Sequence, residues 1–262
     1  MNFLTFDNLS AYRELTHFTT TIEGGVSIGN YASFNLGTTS GDDPKNVIEN
    51  RKRLCNEIGI SNHKLFIPVQ THSNHVLLID RNFLDLTSDK QSEILQNKDA
   101  LLTQEKEICI GITTADCVPI VLYDPLTQTL AAIHAGWRGT VSKIALKTLS
   151  EMVRLFNCKP ENIRVGIGPC ICANCFEVGD HVIEDFIKEG FDSNLISFKN
   201  KETRKYHIDL RKANQLLLEQ AGCIAHHIEI KNLCTVTQPH LFFSARRQTI
   251  NSGRMVTGGI LR

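Results

Sequence analysis

Long hydrophobic runs are missing from this sequence. Nowhere in its 262 residues do about 18 apolar residues stand together, which excludes an ordinary membrane-spanning helix and leaves no membrane partner to expect. An excess of charge of either sign is also missing. Lysine plus arginine and aspartate plus glutamate number 28 each, so there is no basic footprint for nucleic acid or an anionic surface. No internal repeat, low-complexity tract or Pro/Gly/Ser-rich linker divides the chain, and the expectation is one domain over residues 1–262. The start, MNFLTFDNLSAYRELTHF, lacks the basic cluster, apolar run and cleavage site of a secretory leader. Nine cysteines without such a leader fit a reducing, cytoplasmic compartment, and an odd number cannot all pair internally. Cys55, Cys109, Cys158 and Cys223 read as buried thiols behaving as small apolar groups.

What is present is a mixture of strands and helices in no strict alternation. Asp43-Pro44 opens a helix that carries Arg51 and stops at Gly59, with Asp43 as N-cap and Pro44 in the first turn. KLFIPVQ and HVLLID read as strands with THSN at the turn between them. EICIGIT and CVPIVLYD are two more, bounded by TAD and apolar on both faces, hence buried. TLAAIH is a strand ending at His134. GWRGT then leads into one helix, TVSKIALKTLSEMVRLFN, whose apolar positions form a single stripe.

Three potential metal ligands, His72, Cys117 and His134, each stand where a strand meets a turn, and strand ends are where a rigid sheet presents side chains to a cleft. Two imidazoles and a thiolate make a three-ligand zinc set with one position left for water, and zinc brings bound water to a pKa of about 7. Their wide separation leaves a second reading open: two polar loop histidines and a core cysteine. HAGWRGT, residues 134–140, holds the one tryptophan, Trp137. Glycines there permit close approach of a ligand, and the helix start after Gly139, with Arg138, is a candidate anion site; a solvated arginine over a packed tryptophan is the alternative. Asp116, beside Cys117, is a candidate proton carrier or a partner of the ligands, or else a turn-fixing residue. CICANC, with Cys170, Cys172 and Cys175, is too compact for a zinc ribbon and shows no second pair.

Taken together, QTHS at 70–73, TTADCVPI at 113–120, HAGWRGT at 134–140, GPCI at 168–171, FEVG at 176–179, LCT at 233–235, FFSARR at 242–247 and GRM at 253–255 resemble the bacterial laccase-domain family. It is also called the multicopper polyphenol oxidase, purine nucleoside phosphorylase or peptidoglycan editing factor family. The similarity runs from FNLG at 34–37 onward. It implies a single α+β domain with mixed β-sheets packed between flanking helices. It implies zinc held by His72, Cys117 and His134, the trio reached above, and a nucleoside pocket lined by Asn35 and Arg51. It implies phosphorolysis of adenosine, inosine and methylthioadenosine, with adenosine deamination besides, so that purine nucleoside and phosphate are the expected partners. Three departures stand out: Cys172 where relatives carry glycine, Ala245 where they carry an aromatic, and the ending TGGILR.

Arg51, Arg138 and the helix start are the groups expected to neutralise phosphate. Cys117 as a covalent nucleophile ranks below Cys117 as a ligand, because a zinc-bound thiolate is a poorer nucleophile. Copper-dependent phenol oxidation is at most a side activity: ten histidines without one His-x-His pair do not build a four-copper centre, although Cu²⁺ outcompetes Zn²⁺ at such sites in vitro. A zinc hydrolase that removes serine from muramyl precursors, and a metal-dependent binding scaffold, are the alternatives.

Overall fold

Alternation along the central strands decides the layering. In Val118–Asp124, Val118, Ile120 and Leu122 face one core while Val121 and Tyr123 face another. In Thr129–Ala135, Ala131, Ile133 and Ala135 face the first core, and Leu130 and Ala132 the second. A sheet apolar on both faces must be covered on both. In the computed structural model, which describes residues 1–262, it is.

That sheet has six strands, in the order Ile228–Ile230, Arg164–Ile167, Val118–Asp124, Thr129–Ala135, Ala100–Thr103 and Val76–Ile79. The outer pair at each edge is parallel and the rest antiparallel, so the sheet is mixed. Helices Ile144–Phe156, Asp180–Lys188 and Leu210–Gln220 close one face through Leu149, Met152, Phe186 and Leu218. The other face packs on a five-stranded mixed sheet, ordered Phe3–Leu4, Leu15–Thr20, Met255–Leu261, Cys109–Thr114 and Leu65–Phe66, through Ile110, Ile112 and Phe66. Helix Pro44–Glu57 covers the far side of this second sheet with Leu54 against Val256 and Ile260. The result is the expected α+β arrangement, two mixed sheets between flanking helices. A small third sheet joins Glu177–Val178, Tyr206–Ile208 and Ser197–Lys199. No helix is long and apolar enough to cross a membrane.

Local signals hold where they are strong. The Asp43 carboxylate accepts from the Lys45 N–H at 2.9 Å, with Pro44 in the first turn and Gly59 just past the end at φ +70°. One expectation changes. The single helix expected after GWRGT is two, Trp137–Val141 and Ile144–Phe156, broken at Lys143 in a left-handed conformation of φ 58°. The two strands around THSN, and the two around TAD, are not neighbours in one sheet. In both cases the chain passes from the five-stranded sheet to the six-stranded one.

Candidate metal centre and its two cavities

Those two passages make the site. Residues 67–75 carry the chain from Leu65–Phe66 to Val76–Ile79, and residues 115–117 carry it from Cys109–Thr114 to Val118–Asp124. Gln70 ties the passages together: its amide donates to the Thr113 carbonyl at 2.8 Å, and its Oε1 accepts from the Thr113 N–H at 2.7 Å and hydroxyl at 2.8 Å. His72 and Asp116 both hold left-handed backbone angles, φ 60° and 92°. Such angles in non-glycine residues cost about 1 kcal/mol or more and persist where the surroundings over-determine them.

His72, Cys117 and His134 converge, their ligand atoms all within 4.8 Å of one another. His72 Nε2 lies 3.8 Å from Cys117 Sγ. The two imidazoles meet edge to face with centroids 4.9 Å apart. Donors bonded to one tetrahedral zinc at the usual N and S distances stand about 3.5 Å from each other, so this set suits such an ion. A β-carbon added at Gly136 would come within 2.9 Å of both Cys117 Sγ and His72 Cδ2, so only glycine leaves the ligands their place.

The residue that organises the trio has no motif in the sequence. Asp99, fully buried, accepts from the backbone N–H groups of Thr71 (3.2 Å), His72 (3.0 Å) and Ser73 (2.7 Å), and from the Ser73 hydroxyl (2.6 Å). Its Oδ1 also lies 2.8 Å from His134 Nδ1, which leaves Nε2 for the centre. A carboxylate holding the far nitrogen of a ligating histidine fixes its tautomer and orientation. Burial opposes charge on Asp99, but the bonds from His134 and Ser73 outweigh it and hold the carboxyl down at about 2. Burial likewise opposes the Cys117 thiolate, yet His134 and His72 bring it down to about 6. Against the same penalty, Cys117 and Asp99 raise His134 to about 9.

Cys117 separates two cavities. One, of about 280 Å³, is polar and holds Arg51, Arg254, Gln70, Thr38 and Thr39 with the three ligands. The other, also about 280 Å³, is apolar and runs between Trp137, Phe176, Ile171 and Leu210. Ala115 and Ala245 border both. Arg51 lines the polar cavity, fixed by Nε and Nη2 to the Leu36 carbonyl at 3.0 and 2.9 Å. Burial lowers it to about 10, so it stays a cation at neutral pH.

Several expected site residues stand elsewhere. Asn35 is buried and lines neither cavity. Its Oδ1 accepts from the N–H groups of Gly37 (3.0 Å) and Arg254 (2.8 Å), and its amide donates to Ser40 and Asp42, so it places Arg254 instead. Arg254 was legible only as the middle of GRM. Arg138 is exposed, its guanidinium 4.2 Å from the centroid of Trp137, away from both cavities. The helix there starts at Trp137 and is one turn long, and Gly139 lies inside it, packed on Ile144 and the carbonyls of His134 and Ser73. It offers no anion site after Gly139. Asp116 borders the apolar cavity, and its carboxylate accepts from the hydroxyls of Thr235 and Ser244 and from the Arg246 N–H, the last at 2.6 Å. Of the CICANC cysteines, Cys170 is wholly buried with its thiol on the Ile171 carbonyl, while Cys172 and Cys175 meet Cys234.

Known proteins resemble this chain over most of its length. A purine nucleoside phosphorylase of Bacteroides thetaiotaomicron is 44% identical over 255 residues, 97% of this chain and 94% of that protein. Adenosine deaminase RL5, from an unknown prokaryotic organism, is 45% identical over 228 residues, 87% of each. The crystal structure of YlmD from Geobacillus stearothermophilus superposes with a TM-score of 0.88 at 30% identity, covering 96% of this chain and 93% of that one. Residues 16–262 match the family model described as multi-copper polyphenol oxidoreductase laccase. With the six-stranded sheet and the three converging ligands inside that span, this chain belongs to the multi-copper polyphenol oxidoreductase laccase family.

Proposed function

We propose that this chain is a purine nucleoside enzyme, cleaving adenosine, inosine and methylthioadenosine with phosphate and deaminating adenosine, with zinc resident between His72, Cys117 and His134. The observation that carries the reading is the pairing of the two cavities across Cys117. A nucleoside has an apolar, flat base and a polar sugar, and phosphate adds an anion. Trp137 and Phe176 offer the base an apolar, aromatic wall. Arg51 and Arg254 offer the sugar and phosphate two fixed cations. The role expected of Arg138 thus passes to Arg254.

A zinc ion at the trio would supply a Lewis acid beside the bond that breaks. The chain's own residues do the rest. Asp99 orients His134 and the His72 loop, Gln70 fixes the two sheet passages against each other, and Gly136 keeps the approach open. Asp116 is a positioning residue, gathering the loops of Thr235, Ser244 and Arg246 around Cys117. Copper bound in vitro reports the affinity order of N/S sites and does not identify the resident metal.

The test is chromatography of the products from adenosine, with and without phosphate, using metal-quantified protein. Adenine and ribose 1-phosphate are expected only with phosphate, and inosine without it. His72→Ala is the control of choice because His72 is exposed, whereas buried His134 carries the Asp99 bond; it must abolish both products. Zinc-loaded protein that forms neither product ends the nucleoside reading, and muramyl-serine precursors are then the substrates to try.

A further inference from the structure

Away from the centre just described, three more thiols converge. Cys172, Cys175 and Cys234 hold their sulfurs within 4.8 Å of one another. Two come from one turn. Residues 173–175 form a 3-10 turn in which the Cys175 N–H donates to the Cys172 carbonyl at 3.0 Å. That bond closes the turn, and the two sulfurs lie within 4.8 Å of each other. The third arrives from 62 residues away: a parallel bridge between Cys170 and Cys234 lays the two segments side by side, and the Cys172 N–H donates to Cys234 Sγ at 3.4 Å. None of the three is in a disulfide; Cys234 is buried, and Cys172 and Cys175 are half-buried and reachable.

We propose that Cys172, Cys175 and Cys234 form a second metal site, an all-thiolate nest for a soft ion of the Cu⁺ or Zn²⁺ class. Thiolates select such ions over hard ones. Three sulfurs around one ion at the usual metal–sulfur distance stand about 4 Å apart, within the spread here. Three S–metal bonds form, each bound thiol releases its proton to solvent, and no electron changes hands. The ion would be structural. It would pin the 172–175 turn to the 234–235 segment, and both are fastened to the wall of the apolar cavity. The Arg246 guanidinium donates to the carbonyls of Cys175 (3.0 Å) and Glu177 (3.2 Å) while its backbone N–H is held by Asp116. Thr235, next to Cys234, holds the other Asp116 oxygen.

The test uses Cd²⁺ as a soft, redox-inert probe on reduced, metal-free full-length protein carrying His72→Ala and Cys117→Ser, which removes the first centre. One equivalent of Cd²⁺ is expected, with a thiolate-to-metal charge-transfer band of three-sulfur intensity and a raised melting temperature. Adding Cys172→Ser and Cys175→Ser, both half-buried and tolerant, abolishes the band. Circular dichroism matching that of the parent establishes that the fold survives. Displacement of Cd²⁺ by Cu⁺ or Zn²⁺ supports the assignment. No band in the first variant, a band that persists in the second, or failure of both ions to displace Cd²⁺ overturns it.

Discussion

The two clusters of metal-capable side chains are built in opposite ways. His72, Cys117 and His134 stand on the passages between two packed sheets and on a central strand, with the buried Asp99 carboxylate behind both histidines. Cys172, Cys175 and Cys234 stand on a turn and a loop joined by a single bridge, with backbone N–H groups and no carboxylate behind them. The first is set before a ligand arrives, because its supports are part of the core. The second is tied to the rest mainly through Asp116 and Arg246. Chemistry needs the first kind of support and a structural ion does not: the ion itself supplies rigidity to what it binds.

The sharpest way to break the contrast is Asp99→Asn. The variant leaves His134 and three backbone donors without their charged acceptor. It is expected to cost about 3 kcal/mol in denaturant unfolding and about 10- to 100-fold in zinc affinity at the first centre. Cd²⁺ binding by the thiol trio should be unaltered. Equal loss at both clusters in a metal-competition assay would refute the separation.

Acid should act along the same line. The Asp99 carboxyl is held at about 2 in the folded protein, below its ordinary value near 4. Its contribution is therefore complete above about pH 4 and is lost as pH falls through about 2. Urea unfolding between those limits should show a steep decline in the parent protein and a shallower one in Asp99→Asn. Parallel curves would mean that other carboxylates govern acid stability.

Gly136→Ala probes space alone, since φ at residue 136 is −64° and alanine adopts it freely. Its methyl group, 2.9 Å from the Cys117 sulfur and the His72 ring, must push them apart. Overpacking of that kind costs about 1–3 kcal/mol, and the first centre should lose metal while the thiol trio keeps its own. Metal analysis of the purified variant decides it. The smallest effect belongs to Cys172→Ser. At a half-buried thiol in a turn it is expected to change metal-free stability by less than about 0.5 kcal/mol and to leave zinc at the first centre, while Cd²⁺ capacity falls by one equivalent.

Much of the fold was legible because its signals are local. Asp43-Pro44 caps a helix with atoms two residues away, and strands apolar on both faces announce a covered sheet. The break at Lys143 was not legible: no glycine or proline marks the left-handed residue between the two helices. The first centre was legible in its ligands and not in its support. Asp99 is one acid before a strand, and only the fold shows that five donors converge on it. The second cluster was half legible. CICANC displayed Cys170, Cys172 and Cys175, but spacing does not tell which thiol faces inward. The bridge to Cys234 removes Cys170 from the group and completes it from a distant segment.

By itself, then, the sequence determined which residue types stand at the strand ends, where most of the helices and strands lie, and which family the motifs resemble. Only the tertiary structure decided that Arg254 replaces Arg138 beside the ligands, that Asn35 lies outside both cavities while Asp116 borders the apolar one with its carboxylate tied to Thr235, Ser244 and Arg246, and that Asp99 holds the centre. The reason is physical. Capping, turn chemistry and hydrophobic alternation act over a few residues and are written in order along the chain. Burial of a charge and the meeting of donors across two sheets depend on which layers pack, a property of the whole core.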